Sequence, residues 1–319
     1  MIARRLAAAL ERAERIVAPA RSDGWLAILR IGLGTQVVAL CLAVGADWPR
    51  LFATTGSGIG GRQFAEGLVG LESRFIPTLA QVIGPASKCG LSEHTTLVVC
   101  WFLLLAGGCG LLAGFRCRES AIAAWYLHLC AAKSGGTLSY GVDNFMTIGL
   151  FYLMLSPLPD RYSFDFRRRL ARGAGLPDAR LLGLFQVALQ LHLCLIYFFS
   201  GLSKLLGSGW WNGLNLWRAL IRPPFNLISP EFLVRFKAIL PAAGLAICLL
   251  ELAYPVMIWG RRTRRPWLVA VCAMHVAIGV TMGMYLFALV MIVLNVAAFW
   301  LPVEEPNPVE TAAPLSARP

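Results

Sequence analysis

Eight ionisable side chains stand within or at the ends of long apolar runs: Arg30, His128, Lys133, Asp143, His192, Lys204, Glu251 and His275. Ionisable groups in such places are costly and mark function by default. Lys204 is the most suggestive. It sits in YFFSGLSKLLGSGWW (197–211), and Gln186, Gln190, Tyr197, Gly201 and Lys204 follow steps of four, seven, four and three residues. That spacing predicts one helical stripe. A polar stripe on a membrane helix faces protein or a water-filled cavity, because lipid would penalise it. Lys204 then tops a polar column, and a desolvated lysine can act as a base. The competing reading is a lysine that only snorkels to the headgroups. Lys133 and Asp143 flank a short turn and can pair, as a structural ion pair or as electrostatic partners of Lys204. Tyr197, Gln190 and His192 are candidates to line a cofactor pocket.

A second group is expected deeper. At ~1.5 Å per residue, Glu251 and His275 lie ~12–14 Å from the inner ends of their runs, and His128 and His192 a little higher. Three histidines and a glutamate at similar depth could hold a metal or haem, or each could bond a neighbouring helix. There is no His-x-x-x-His and no Glu-x-x-His, so no metal site is assigned. Glu251–His275 is the expected polar pair. Arg30, ~9 Å inside its span, needs an acceptor, and Glu251 is the candidate. Orienting the bundle is its expected role.

These residues need a scaffold, and composition names it. Of 319 residues, 57% are hydrophobic and 14% charged, well below the ~25% charged residues of soluble domains. The expected fold is all-α, a polytopic transmembrane bundle of eight spans near 24–44, 95–115, 118–135, 142–159, 181–205, 237–259, 266–283 and 285–302. The last two come from one run, split at Met-Gly-Met-Tyr (282–285). A net charge of +12 could indicate nucleic acid, but the arginines form short blocks between apolar spans. With both termini inside, 18 of the 29 Lys and Arg fall on the inner side and 8 on the outer, as the positive-inside rule requires. Nucleic acid is therefore not an expected partner; the lipid bilayer is.

Residues 1–20 read as an amphipathic interfacial helix rather than a cleavable signal peptide, 21–302 as the membrane domain, and 303–319 as a disordered cytoplasmic tail. Residues 62–83 and 212–221 carry apolar residues at helical spacing and read as short helices roofing the outer mouth. Nine cysteines lie mostly within apolar runs and read as small buried hydrophobes. A Cys89–Cys100 disulfide stays open, since spacing cannot decide it. Phosphate-binding loops, nucleophile elbows, zinc fingers and internal repeats are absent from the sequence.

Several stretches, in order, carry a resemblance: LAILRIGLG (27–35), YGVDNFMTIGLFYLMLSPLPDRYSFD (140–165), IYFFSGLSKL (196–205), ELAYPVMI (251–258) and MHVAIGVTMGMYLFALVM (274–291). Together they resemble the HTTM family, the membrane domain shared with vitamin K-dependent γ-glutamyl carboxylase, over about residues 20–302. The resemblance implies an integral protein, here of a bacterial inner membrane. It places Lys204 on the position of the base that deprotonates vitamin K hydroquinone, whose oxygenation yields the strong base that removes a glutamate γ-proton. Glu251 and His275 fall on the family's acidic span-6 residue and span-7 histidine. A quinone-like hydroquinone is the cofactor so implied. Two departures matter. The hairpin histidine of the carboxylase has only a loose match near Val142-Asp143. Just 17 residues follow the last span, so carboxylation of propeptide-bearing proteins does not follow. Short bacterial members also resemble the membrane protein that matures a sporulation-delaying toxin. The function expected is thus a quinol-linked or base-assisted membrane enzyme acting near the outer face. The alternative is a non-enzymatic partner for a secreted peptide or protein.

Overall fold

The computed structural model describes residues 17–54 and 61–301. The expected surface helix within 1–20 lies, apart from its last four residues, outside the described residues, as does the expected tail at 303–319. Every regular element among the described residues is helical. The chain divides into two compact units, Leu26–Leu176 and Pro177–Pro319 with the residues up to Trp25.

The Leu26–Leu176 unit holds most of α1 (Gly24–Val44), the short α2 (Trp48–Leu51), α3 (Arg62–Glu72), α4 (Ala80–Lys88), α5 (Glu93–Ala113), α6 (Cys117–Ser134), a 3-10 turn (Gly136–Leu138), α7 (Gly141–Leu155) and α8 (Phe164–Ala171). Leu26, Leu29, Leu33, Val37 and Cys41 recur at steps of three and four and are wholly buried, so α1 contributes an inward stripe. Ser92 starts α5 by accepting a hydrogen bond from the Thr95 amide, and Gly114, in the left-handed conformation, ends it. Such a side-chain oxygen satisfies one of the free N–H groups at a helix start. α5 packs on α6 and α6 on α7, while α3 rests on α6 and α4 on α5.

The other unit holds α9 (Ala179–Leu205), α10 (Ser208–Trp211), α11 (Leu214–Ile221), α12 (Pro230–Arg235), α13 (Leu240–Met257), α14 (Arg264–Met282) and α15 (Tyr285–Phe299). Asp178 caps α9 through the Arg180 and Leu181 amides. α9 packs along α13 and α15, and α14 along α15. The expected break in the last apolar run is present: Gly283 has φ +70° and ends α14, and α15 begins two residues on. A left-handed residue at that point costs glycine nothing. α15 is buried on nearly every side, as suits a helix that is apolar all round.

A helix occupies each of the eight apolar runs. Five of them, α1, α5, α9, α13 and α14, are long and apolar enough to cross a membrane, which fits an integral membrane protein. α7 and α15 have 15 residues each, ~22 Å at 1.5 Å per residue, short of a ~30 Å hydrocarbon layer. α6 has 18 residues but carries Arg118, Glu119 and Lys133. Short helices stand within both expected roof stretches, as α3 and α4 and as α11. All nine cysteines are free thiols; Cys89 is exposed and Cys100 buried.

Candidate functional site

Lys204 lies in the last turn of α9, on the expected stripe. Gln186, Gln190, Tyr197 and Gly201 of that stripe are all buried. The Gln186 and Gln190 amides both donate to the Ala298 carbonyl of α15, at 3.2 and 2.6 Å. The column faces protein, as a polar stripe on an apolar helix must.

Gly201 sets the geometry at its top. A Cβ there would lie 2.6 Å from the Leu252 backbone nitrogen, so only glycine lets α13 come this close. Glu251 precedes Leu252, and the approach brings its Oε2 to 2.5 Å from Lys204 Nζ. Nζ also donates to Ser200 Oγ at 2.6 Å and lies 5.6 Å from the centre of the Trp210 ring. Aromatic faces attract cations at that range. The lysine side chain keeps 21% of its surface and the glutamate 8%. The pair is roofed but not sealed.

Below this pair runs an ordered chain. Asn295 Nδ2 is 2.8 Å from the Met291 carbonyl and 2.8 Å from Tyr197 Oη. A carbonyl only accepts, so this atom is the amide nitrogen and Asn295 Oδ1 is the acceptor for Tyr254 Oη, at 2.8 Å. Tyr197 Oη, receiving from Asn295, has its one proton left to give, and His275 Nε2 stands 2.7 Å away. His275 must then carry its own proton on Nδ1. That Nδ1 is buried and has no partner among the described residues. Every donor in the chain is assigned except the last, and an unpaired buried N–H is costly.

These contacts revise two expected pairings. Glu251 pairs with Lys204 rather than His275, and His275 pairs with Tyr197. Helix ends mislead here, because α13 starts well beyond the end of α9: Gly244 on α13 packs against the Trp210 carbonyl, six residues past Lys204. A glutamate placed deep by counting is therefore level with a lysine placed at the surface. Arg30 does not meet Glu251 either. It grips Asp160 through Nε–Oδ2 at 2.5 Å and Nη2–Oδ1 at 3.1 Å, and its Nη1 donates to the Leu111 and Leu112 carbonyls. Asp160 lies just past the end of an apolar run, so it escaped the set of intramembrane groups.

Asp143 and Lys133 belong to the unit that holds Arg30. The Asp143 carboxylate accepts from the Tyr140 amide at 2.9 Å, holding the start of α7, and lies 4.0 Å from His128 Nε2. Lys133 makes no ion pair with it among the described residues. Lys204 has Glu251 as its acidic partner. His192 is half-buried on α9, and no group of three or more His, Cys, Asp or Glu suited to a metal occurs among the described residues. Sequence reasoning missed Asn295, Ser200 and Tyr254. Asn295 had a signal, as the one amide in YLFALVMIVLNVAAF.

No protein-family model matches this chain, and no curated protein or solved structure matches it.

Proposed function

We propose that this chain is an HTTM-like membrane protein of eight spans with both termini inside, and that the Lys204–Glu251 pair performs base-assisted chemistry on a lipid-soluble hydroquinone. The observation that carries the reading is a part-open lysine, hydrogen-bonded to a buried carboxylate, above a polar chain whose last donor has no acceptor. The eight helices and the distribution of Lys and Arg support the topology, and the ordered motifs support the family. A bacterial inner membrane is the location this reading implies.

Lys204, which keeps part of its surface, is the residue that would meet such a molecule. A bound hydroquinone supplies a weakly acidic phenolic proton. Lys204 would be the group to accept that proton as the free amine, with Glu251, hydrogen-bonded to it, holding the proton that the lysine gives up. Trp210 covers the lysine and limits water, which strengthens each charge interaction beneath it. Tyr197, fixed by Asn295, holds the His275 ring in the tautomer that offers Nδ1–H. Proton transfer by positioned groups typically contributes 10²–10⁴-fold to a rate.

The test is aerobic consumption of a naphthohydroquinone by the purified protein in lipid nanodiscs. Turnover that Lys204→Met and Glu251→Gln each abolish supports the reading, and equal turnover in the variants rejects it.

A second reading, a membrane partner for a secreted apolar peptide, draws on one observation. Phe232, Val234 and Phe236, on and just after α12, are about half exposed. Loss of function on changing these residues, with Lys204→Met silent, favours it.

A further inference from the structure

α3 is built inside out. Two of its three charged residues, Arg62 and Glu66, face the protein. Arg62 retains 5% exposure and donates to Glu93 Oε1 at 2.6 Å, to Glu66 Oε2 at 3.5 Å and to the Thr54 hydroxyl. Glu66 Oε1 accepts from Ser134 Oγ at 2.7 Å and from the Ala80 amide at 3.0 Å. The opposite side of the helix carries Phe64, Leu68 and Leu71, at steps of four and three, and Phe75 follows four residues later beyond the helix end. Phe64 and Leu68 are about half exposed, Leu71 is 85% exposed and Phe75 93%. A helix lying on a water-soluble surface shows the reverse order, apolar residues inward and charges outward.

Apolar side chains on a neighbouring element also face outward. α3 packs against the 3-10 turn, where Leu138 is half exposed and Tyr140 follows, also exposed. α5 begins, and α6 ends, where the Arg62 network ties them to α3, so the helix lies across the ends of helices rather than along their middles. Gln63 and Glu72 are exposed on the flanks of the apolar strip. Apolar below, polar at the sides and anchored by buried charges behind is the arrangement of a helix lying in the membrane interface.

We propose that the face made by Phe64, Leu68, Leu71 and Phe75 is a lipid-binding surface, seated at the boundary between headgroups and acyl chains. The ion-pair network of Arg62, Glu66 and Glu93 locks the helix at that depth. This inference is independent of the chemistry at Lys204.

A photo-crosslinking residue, benzoylphenylalanine, placed singly at Leu71, Phe75 and Lys88 of the full chain in phosphatidylcholine–phosphatidylglycerol nanodiscs tests it. Both apolar positions are largely exposed, so the substitutions leave the core intact. Mass spectrometry after irradiation is expected to show lipid adducts at Leu71 and Phe75 several-fold above those at Lys88. Adducts to a second copy of the chain, or yields at Leu71 and Phe75 no higher than at Lys88, would overturn the proposal. As a second measurement, Leu71→Glu with Phe75→Glu should give a folded protein in detergent that reconstitutes several-fold less well into vesicles. Undiminished reconstitution would count against it.

Discussion

Two ion pairs, one in each unit, differ in how completely they are buried and satisfied. In the Leu26–Leu176 unit, Arg30 and Asp160 are almost wholly buried, at 1% and 0% exposure. Every arm of the guanidinium has an acceptor, and Asp160 Oδ1 accepts a further bond from the Tyr162 amide at 3.0 Å. Nothing is left to react. In the other unit, Lys204 is part-open, its carboxylate partner is a hydrogen bond away, and the polar chain beneath it ends in an unanswered N–H. Satisfied buried networks specify a fold, whereas incomplete ones call for an explanation in function or in an unseen partner. Burial alone would have ranked Arg30 first, and the hydrogen-bond accounting ranks Lys204 first.

That contrast can be broken by substitution. The largest effect should come from Arg30→Met, which strands a buried aspartate. Breaking a buried pair by removing one partner costs about 3–5 kcal/mol. Loss of folded protein, measured by yield and thermal unfolding in detergent, is expected, and near-normal stability would undo the scaffold assignment. Next is Gly201→Ala. Its Cβ would meet the Leu252 backbone, and overpacking of this kind costs about 1–3 kcal/mol. The variant should also separate α9 from α13 and lengthen the Lys204–Glu251 contact, which a structure of the variant would show. The smallest effect is expected of Tyr197→Phe. It removes the donor to His275 and the acceptor for Asn295, costing about 1–3 kcal/mol at most, and should weaken turnover more than folding. Wild-type turnover in a correctly folded Tyr197→Phe would separate the chain from the site.

Much of the fold was legible in the sequence. Apolar runs near span length, punctuated by Arg blocks, locate all eight long helices, and the Met-Gly-Met break is real because glycine alone takes a positive φ there without strain. The stripe ending at Lys204 was legible too, since helical spacing fixes azimuth within one helix. Pairing between helices was not. It depends on how far one helix is shifted along another, and the offset of α13 against α9 moved Glu251 from His275 to Lys204. Asp160 was missed for a related reason: an acidic residue just outside an apolar run still reaches into the unit when the chain folds back over the helix end. Asn295 carries no charge and was overlooked among ionisable groups, although it fixes the direction of every bond in the chain.

The central claim is that the open pair at Lys204, and not the closed pair at Arg30, receives a ligand. The direct measurement is the thermal unfolding of wild-type and Lys204→Met protein in nanodiscs, with and without a saturating naphthohydroquinone. A ligand at 100 times its Kd stabilises the folded state by about 2.7 kcal/mol, so a clear upward shift in Tm is predicted for the wild type and none for Lys204→Met. Equal shifts in both proteins, or no shift in either, would contradict the account.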